Sequence, residues 1–336
     1  MRIKWFSLIR ITGLLLVLLY HFFQTIFPGG FFGVDVFFTF SGFLITSLLL
    51  EEFGKKRQID LLGFFKRRFY RIVPPVVLMV LVTMPFTFLV RQDYVAGIGG
   101  QIAGVLGFMT NFYEMLTGGS YESQFIPHLF VHNWSLAVEV HYYILWGLAV
   151  WFLSKRSKSS SQLRGTVFLL SAGFFILSFF SMFIGSLMTS SYSSVYFSSL
   201  THAYPFFLGS ILATVVGVRQ TTDLVKQFDR MWDLRQNLLL FTAGLLVLLL
   251  LTFFVKFTYL FAYLFGFLLA SLAAVTMIFA TRVLHEKTPD IQEPRIITFL
   301  ADTSYAVYLF HWPFYIIFSQ LMSNLPAVIL TVIFSY

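Results

Sequence analysis

Long apolar blocks, separated by short polar or glycine-rich stretches, set the pattern of this chain. Residues 8–27 read LIRITGLLLVLLYHFFQTIF and residues 31–50 read FFGVDVFFTFSGFLITSLLL, with only Pro28-Gly29-Gly30 between them. Each block is long enough to cross a bilayer as a helix, which takes roughly 20 mostly apolar residues. The pair therefore predicts a tight antiparallel hairpin. A basic stretch, 51–73, comes next, and Pro74-Pro75 is expected to open a third helix ending near residue 90. Further apolar blocks fall at 134–153, 166–188, 200–218, 238–255, 259–281 and 297–321, and a last one begins near residue 326. Residues 95–116 differ: they are moderately apolar but hold Gly97, Gly99, Gly100, Gly104 and Gly107.

Composition turns this pattern into a fold class. Of 336 residues, 58% are hydrophobic and 11% charged, against about 25% charged in a soluble domain. The expectation is an all-α polytopic membrane protein, one domain over 1–336, with the lipid bilayer as its first partner. The absence of cysteine excludes a disulfide framework and thiol catalysis. No small-residue cleavage site follows the first block, so it reads as a retained helix rather than a signal peptide. The net charge of +8 raises nucleic acid as a partner, but its distribution argues otherwise. If 95–116 is re-entrant and does not cross, there are ten helices. The N-terminus and every basic loop then share one side, leaving only Arg91 and Lys256 of the 23 lysines and arginines opposite. Basic loops stay cytoplasmic, so both ends are expected inside and no nucleic-acid partner is expected. The chain stops at Tyr336 within an apolar run, and the last helix is expected to be truncated.

Polar residues inside the apolar blocks are the candidate chemistry, because ionisable groups at that depth are costly. Arg10 and His21 are eleven residues apart, which places them within about 20° of one another on a helix and roughly 16 Å apart along it. Counting from the outer helix ends puts His21 roughly 9 Å deep and Asp35 roughly 6 Å deep. The hairpin is thus expected to bring the Asp35 carboxylate to the imidazole and orient it as a general base. Glu139 and His311 fall in the same layer, and the four predict a buried polar cavity serving as a substrate site or an ion path. At the cytoplasmic side, Arg68 and Arg71 share a helix face and suit phosphate oxygens, unless they only anchor anionic lipid. His128 and His132, four apart, have zinc-helix spacing, but Pro127 points to a loop and no metal site is expected. Tyr192 and Tyr196 read as an outer loop.

Several ordered blocks carry a resemblance. Arg10 and His21, GVDVFFTFSGFLI at 33–45, RRFYRIVPP at 67–75, WSLAVE at 134–139 and SYAVYLFHWP at 304–313 resemble the membrane acyltransferase-3 family over nearly the whole chain. The resemblance implies transfer of an acyl group, commonly acetyl from cytoplasmic acetyl-CoA, to a carbohydrate hydroxyl across the membrane. Among bacterial members the chain is most similar to Gram-positive peptidoglycan O-acetyltransferases. Many of those carry an SGNH-type domain outside the membrane, absent from this sequence. The family's motif residues fall on Arg10, His21, Arg68 and Arg71. Arg68 and Arg71, with Arg10, are expected to hold the coenzyme A phosphates, with His21 as base or acyl carrier and Ser304, Tyr305 or Tyr308 as a relay hydroxyl. His141 stands where the family often has glutamine, and its role stays open. The rival readings are O-acetylation of another envelope polysaccharide and a proton-coupled transporter. No internal repeat of the transporter kind is present.

Overall fold

The computed structural model describes residues 3–117, 128–189, 191–218 and 221–336, and every regular element among them is helical. The hairpin forms: α1 (Phe6–Phe23) and α2 (Gly33–Lys56) are joined through Pro28 and a short 3₁₀ turn. Then come α3 (Leu61–Thr83), two short helices α4 (Ile98–Leu106) and α5 (Thr110–Thr117), and the long α6 (Trp134–Arg156) and α7 (Ser160–Met188). A stub, α8 (Tyr192–Phe197), precedes α9 (Tyr204–Val215) and α10 (Asp223–Met231). The chain ends with α11 (Leu234–Phe254), α12 (Phe267–Lys287), α13 (Arg295–Leu321) and α14 (Asn324–Ser335).

Seven helical stretches among the described residues are long and apolar enough to cross a membrane, and the chain is an all-α, multi-pass membrane protein. They contain α1, α2, α3, α6, α7, α11 and α12. The other three expected blocks are helical too. α13 has 27 residues, whereas α9 and α14 have 12 each and rise only about 18 Å. The glycine-rich 95–116 stretch forms α4 and α5, nine and eight residues long, neither of which can span. α4 is preceded by Gly97, whose φ of 60° is left-handed and which has the Tyr113 hydroxyl 2.6 Å from where a Cβ would sit.

One boundary differs in a way that matters. The third helix starts at Leu61, well before Pro74, and both prolines lie inside it. Asp60 caps its first turn by accepting the Gly63 N–H at 2.9 Å, so the helix is already running when it meets the prolines. The cluster from Lys66 to Arg71 is therefore helical, and Arg68, Arg71 and Ile72 share a face.

α2 packs backbone to backbone against α9. A Cβ at Gly42 would lie 2.0 Å from the Phe206 carbonyl oxygen, and one at Gly209 2.0 Å from that of Thr39. Small residues allow such close approach where lipid supplies no hydrophobic drive between helices. A hydroxyl chain runs alongside: Trp146 Nε1 donates to Thr46 Oγ1 at 2.8 Å, Thr46 to Ser210 Oγ at 2.9 Å, and Tyr142 Oη lies 2.8 Å from Ser210. Gly42→Ala is expected to lower the thermal midpoint in detergent by about 5 °C or more. Gly173→Ala, which meets nothing within 4 Å, should leave it unchanged. Equal midpoints for the two would mean that these backbones do not touch.

Candidate active site

α1, α2, α3, α6 and α13 enclose a cavity with about 910 Å³ of empty space, part of it open to the exterior. α2 contributes the stripe Val34, Phe37, Phe38, Ser41, Leu44 and Ile45, which follows helical spacing. α1 contributes Arg10 and α3 contributes Arg68 and Arg71. Arg71 is exposed, while Arg68 is half-buried. The Arg68 guanidinium sits 5.5 Å from the Tyr143 ring and 5.7 Å from the Phe64 ring, and its buried Nε has no hydrogen-bond partner among the described residues. The Arg10 guanidinium lies 5.7 Å from the Phe40 ring. In the same cavity, Glu139 accepts short hydrogen bonds from the Ser41 and Tyr143 hydroxyls.

The far wall of the cavity is Tyr308. Its hydroxyl donates to the His132 carbonyl at 2.8 Å and pairs with Ser135 Oγ at 2.5 Å. Ser304 and Tyr305 line the same side, the Tyr305 hydroxyl donating to the Ile72 carbonyl at 3.2 Å. Behind Tyr308 lie three imidazoles. His21 Nδ1 is 2.9 Å from His311 Nε2, and the ring of His132 is 5.6 Å from that of His311. The Tyr308 ring is 5.6 Å from His311 and 6.0 Å from His132. His132 and His311 are buried; His21 is half-buried, its ring 4.7 Å from that of Trp312. Pro313 explains the seat of His132. Proline has no N–H to bond the carbonyl four residues back, so the Leu309 oxygen is released, and His132 Nε2 takes it at 2.9 Å.

The arginines and Glu139 thus meet in one cavity with Ser304, Tyr305 and Tyr308, while His21 and His311 meet in the adjoining cluster. Asp35 belongs to neither, which corrects the expected pairing with His21. Asp35 Oδ1 lies 3.2 Å from His202 Nε2, both side chains fully buried. Depth along a helix does not fix direction around it: Asp35 is one residue, about 100°, from the cavity-facing Val34. It falls instead on the stripe with Thr39, Gly42 and Thr46 that meets α9. His202 Nδ1 donates to the Tyr196 carbonyl at 2.8 Å, so a single proton lies between His202 and Asp35. Breaking a buried pair costs about 3–5 kcal/mol. Asp35→Ala should therefore lower the thermal midpoint clearly while the protein that folds still binds acyl donor with unchanged Kd. A lost Kd with normal stability would return Asp35 to the site.

Other expectations also move. His128 pairs with Glu114 at 2.8 Å, while His132 holds the Leu309 carbonyl. His141 bonds Ser199 Oγ at 2.9 Å. Tyr196, read as an outer loop, is fully buried, its ring 4.4 Å from Trp134. Ser41, Ser135, Tyr143 and His202 join the sites without a signal of their own in the sequence reading, and His132, weighed there only for zinc spacing, joins them beside His311. Ser41 and Ser135 lie inside quoted motif blocks, a signal that could have found them; His202 offered none.

A family model described as an acyltransferase domain matches residues 3–336. The chain belongs to the acyltransferase-3 family. O-acetyltransferase OatA of Staphylococcus aureus (strain NCTC 8325) is 28% identical to it over 306 residues, covering 91% of this chain and 49% of OatA. A second S. aureus protein (strain COL), whose name assigns it provisionally to the O-acetyltransferases, is 30% identical over 311 residues, covering 90% of this chain and 49% of its own length. The chain thus spans about half the length of these relatives. No solved structure matches this acyltransferase-3 chain. The blocks that carry the family resemblance supply both neighbouring groups: Arg10, Arg68 and Arg71 in the cavity, and His21 with His311 behind Tyr308.

Proposed function

We propose that this chain is the membrane module of an O-acetyltransferase in a bacterial cell membrane. It takes acetyl from acetyl-CoA at the arginine-lined end, on the cytoplasmic side, and delivers it to a carbohydrate hydroxyl at the histidine end, on the opposite side. The carrying observation is that α1 alone places Arg10 in the cavity and His21 against His311, roughly 16 Å further along, with Tyr308 shared between the two groups. The concentration of basic residues in the loops supports a topology with both ends of this segment cytoplasmic.

Arg68 fits a phosphate of the donor. Arg68 lines the cavity, its buried Nε has no hydrogen-bond partner among the described residues, and a guanidinium fork matches phosphate oxygens. Arg10 and Arg71 add positive charge at the same wall. Glu139, held by Ser41 and Tyr143, balances that charge and keeps the guanidinium side of the cavity polar. The apolar α2 stripe accommodates the pantetheine arm and leads the thioester toward Tyr308.

At the far end His21 is the general base. It removes the acceptor hydroxyl proton as the new C–O ester bond forms; the thioester C–S bond then breaks, and His21 returns the proton to the coenzyme A thiolate. Tyr308, which lines the cavity and reaches the histidine cluster, is the position from which an intermediate acyl ester would divide this into two transfers. The acceptor supported by the motif resemblance is peptidoglycan, reached directly or through an SGNH-type domain of a longer chain; other envelope glycans share the same hydroxyl chemistry. The chain in nanodiscs, given acetyl-labelled acetyl-CoA and cell-wall sugar fragments, should release coenzyme A and label the sugar. Dissipation of a pH gradient without any coenzyme A release would instead support the transporter reading.

A further inference from the structure

We infer that His311 is a positioning residue that locks His21 in the tautomer with its proton on Nδ1 and its lone pair on Nε2. This rests on the reading of His21 as the general base, and it gives His311 the orienting role that Asp35, committed to His202, does not fill. His311 Nδ1 lies 2.6 Å from the Tyr308 carbonyl oxygen and 3.2 Å from that of Val307. A carbonyl only accepts, so Nδ1 carries the proton. Among the described residues the remaining hydrogen-bond partner of His311 is His21, and no carboxylate is among its partners. An imidazolium here, 1% exposed, would be a buried charge without a counterion. His311 is therefore neutral, its Nε2 bears a lone pair, and the 2.9 Å contact to His21 Nδ1 requires a proton on His21. A neutral His21 protonated on Nδ1 has its basic electron pair on Nε2.

The backbone that presents His311 is itself held. Pro313 releases the Leu309 carbonyl and His132 Nε2 captures it, while Tyr308 ties the preceding turn to the His132 carbonyl and Ser135. His311 thus stands on a turn clamped on both sides, so the lone pair it offers His21 has a fixed direction. In the transfer step the acceptor hydroxyl proton goes to His21 Nε2, the ester C–O bond forms and the thioester C–S bond breaks. The Nε2 proton then passes to the thiolate. Throughout, the Nδ1 proton stays in its bond to His311.

The test reads the tautomer directly. The full chain in nanodiscs, with ring-¹⁵N histidine, is assigned by comparison with His21→Gln and His311→Gln. His21 is expected to show a protonated Nδ1 and a bare Nε2, and His311 a protonated Nδ1 only. A proton on His21 Nε2, or two on His311 at neutral pH, overturns the inference. Kinetics separate positioning from packing. His311→Phe keeps ring bulk but no acceptor and should lower kcat about 100-fold, with KM for acetyl-CoA unchanged. His311→Gln, whose amide oxygen accepts, should recover about tenfold of that. Equal losses in the two variants would also overturn the positioning role. If the tautomer is found while His21→Ala keeps full activity, it is the general-base reading that fails and not the hydrogen-bond assignment.

Discussion

His21→Ala is expected to lower acetyl transfer about a thousand-fold or more, with insertion and folding retained. A positioned general base contributes about 10²–10⁴ in rate, and that contribution is lost with the ring. The neighbouring imidazoles keep their own backbone seats, His311 Nδ1 on the Tyr308 carbonyl and His132 Nε2 on the Leu309 carbonyl. His21 is half-buried, and without its ring α1 keeps its contacts to α2 through Gly13 and Gly33. Coenzyme A release and the thermal midpoint should be measured on the same preparation. Turnover within tenfold of the unsubstituted chain would remove His21 from the chemistry. A collapsed midpoint would show that the ring is structural.

Arg68→Ala is expected to weaken acetyl-CoA binding by about 10–100-fold, since a hydrogen bond to a charged group contributes about 1.5–3 kcal/mol. Arg68 outranks Arg71 because it is the less exposed of the two and has a buried nitrogen without a partner. Arg71, exposed at the rim, should give a smaller, salt-screened effect. Arg68→Lys should restore only part of the affinity, because an ammonium cannot present the fork. Isothermal titration with acetyl-CoA and with coenzyme A should show the same loss for both, since the phosphates are common to them. Unchanged affinity together with a reduced yield of inserted protein would assign the cluster to lipid anchoring.

The helices and the identity of the polar residues were legible from apolar block length and interrupted hydrophobicity, because a bilayer imposes both. The grouping of those residues was not. Asp35, Glu139, His21 and His311 share a depth range, yet they divide among three environments, since a single residue's rotation separates Val34 from Asp35 on α2. A proline pair reads as a boundary, whereas the Asp60 cap, fourteen residues before Pro74, has already begun α3. His202 and Tyr196 were illegible for a different reason. Their role comes from the approach of α9 and α8 to α2 and α6, which rests on glycine contacts between segments far apart in sequence.

The central claim is that acyl enters past Arg68 and leaves at His21, across the membrane. Proteoliposomes with the chain in one orientation, labelled acetyl-CoA supplied only at the Arg68 face and cell-wall sugar only at the His21 face, test it most directly. The account predicts labelled sugar with the unsubstituted chain and none with His21→Ala. Labelling that requires donor and sugar on the same face would contradict it.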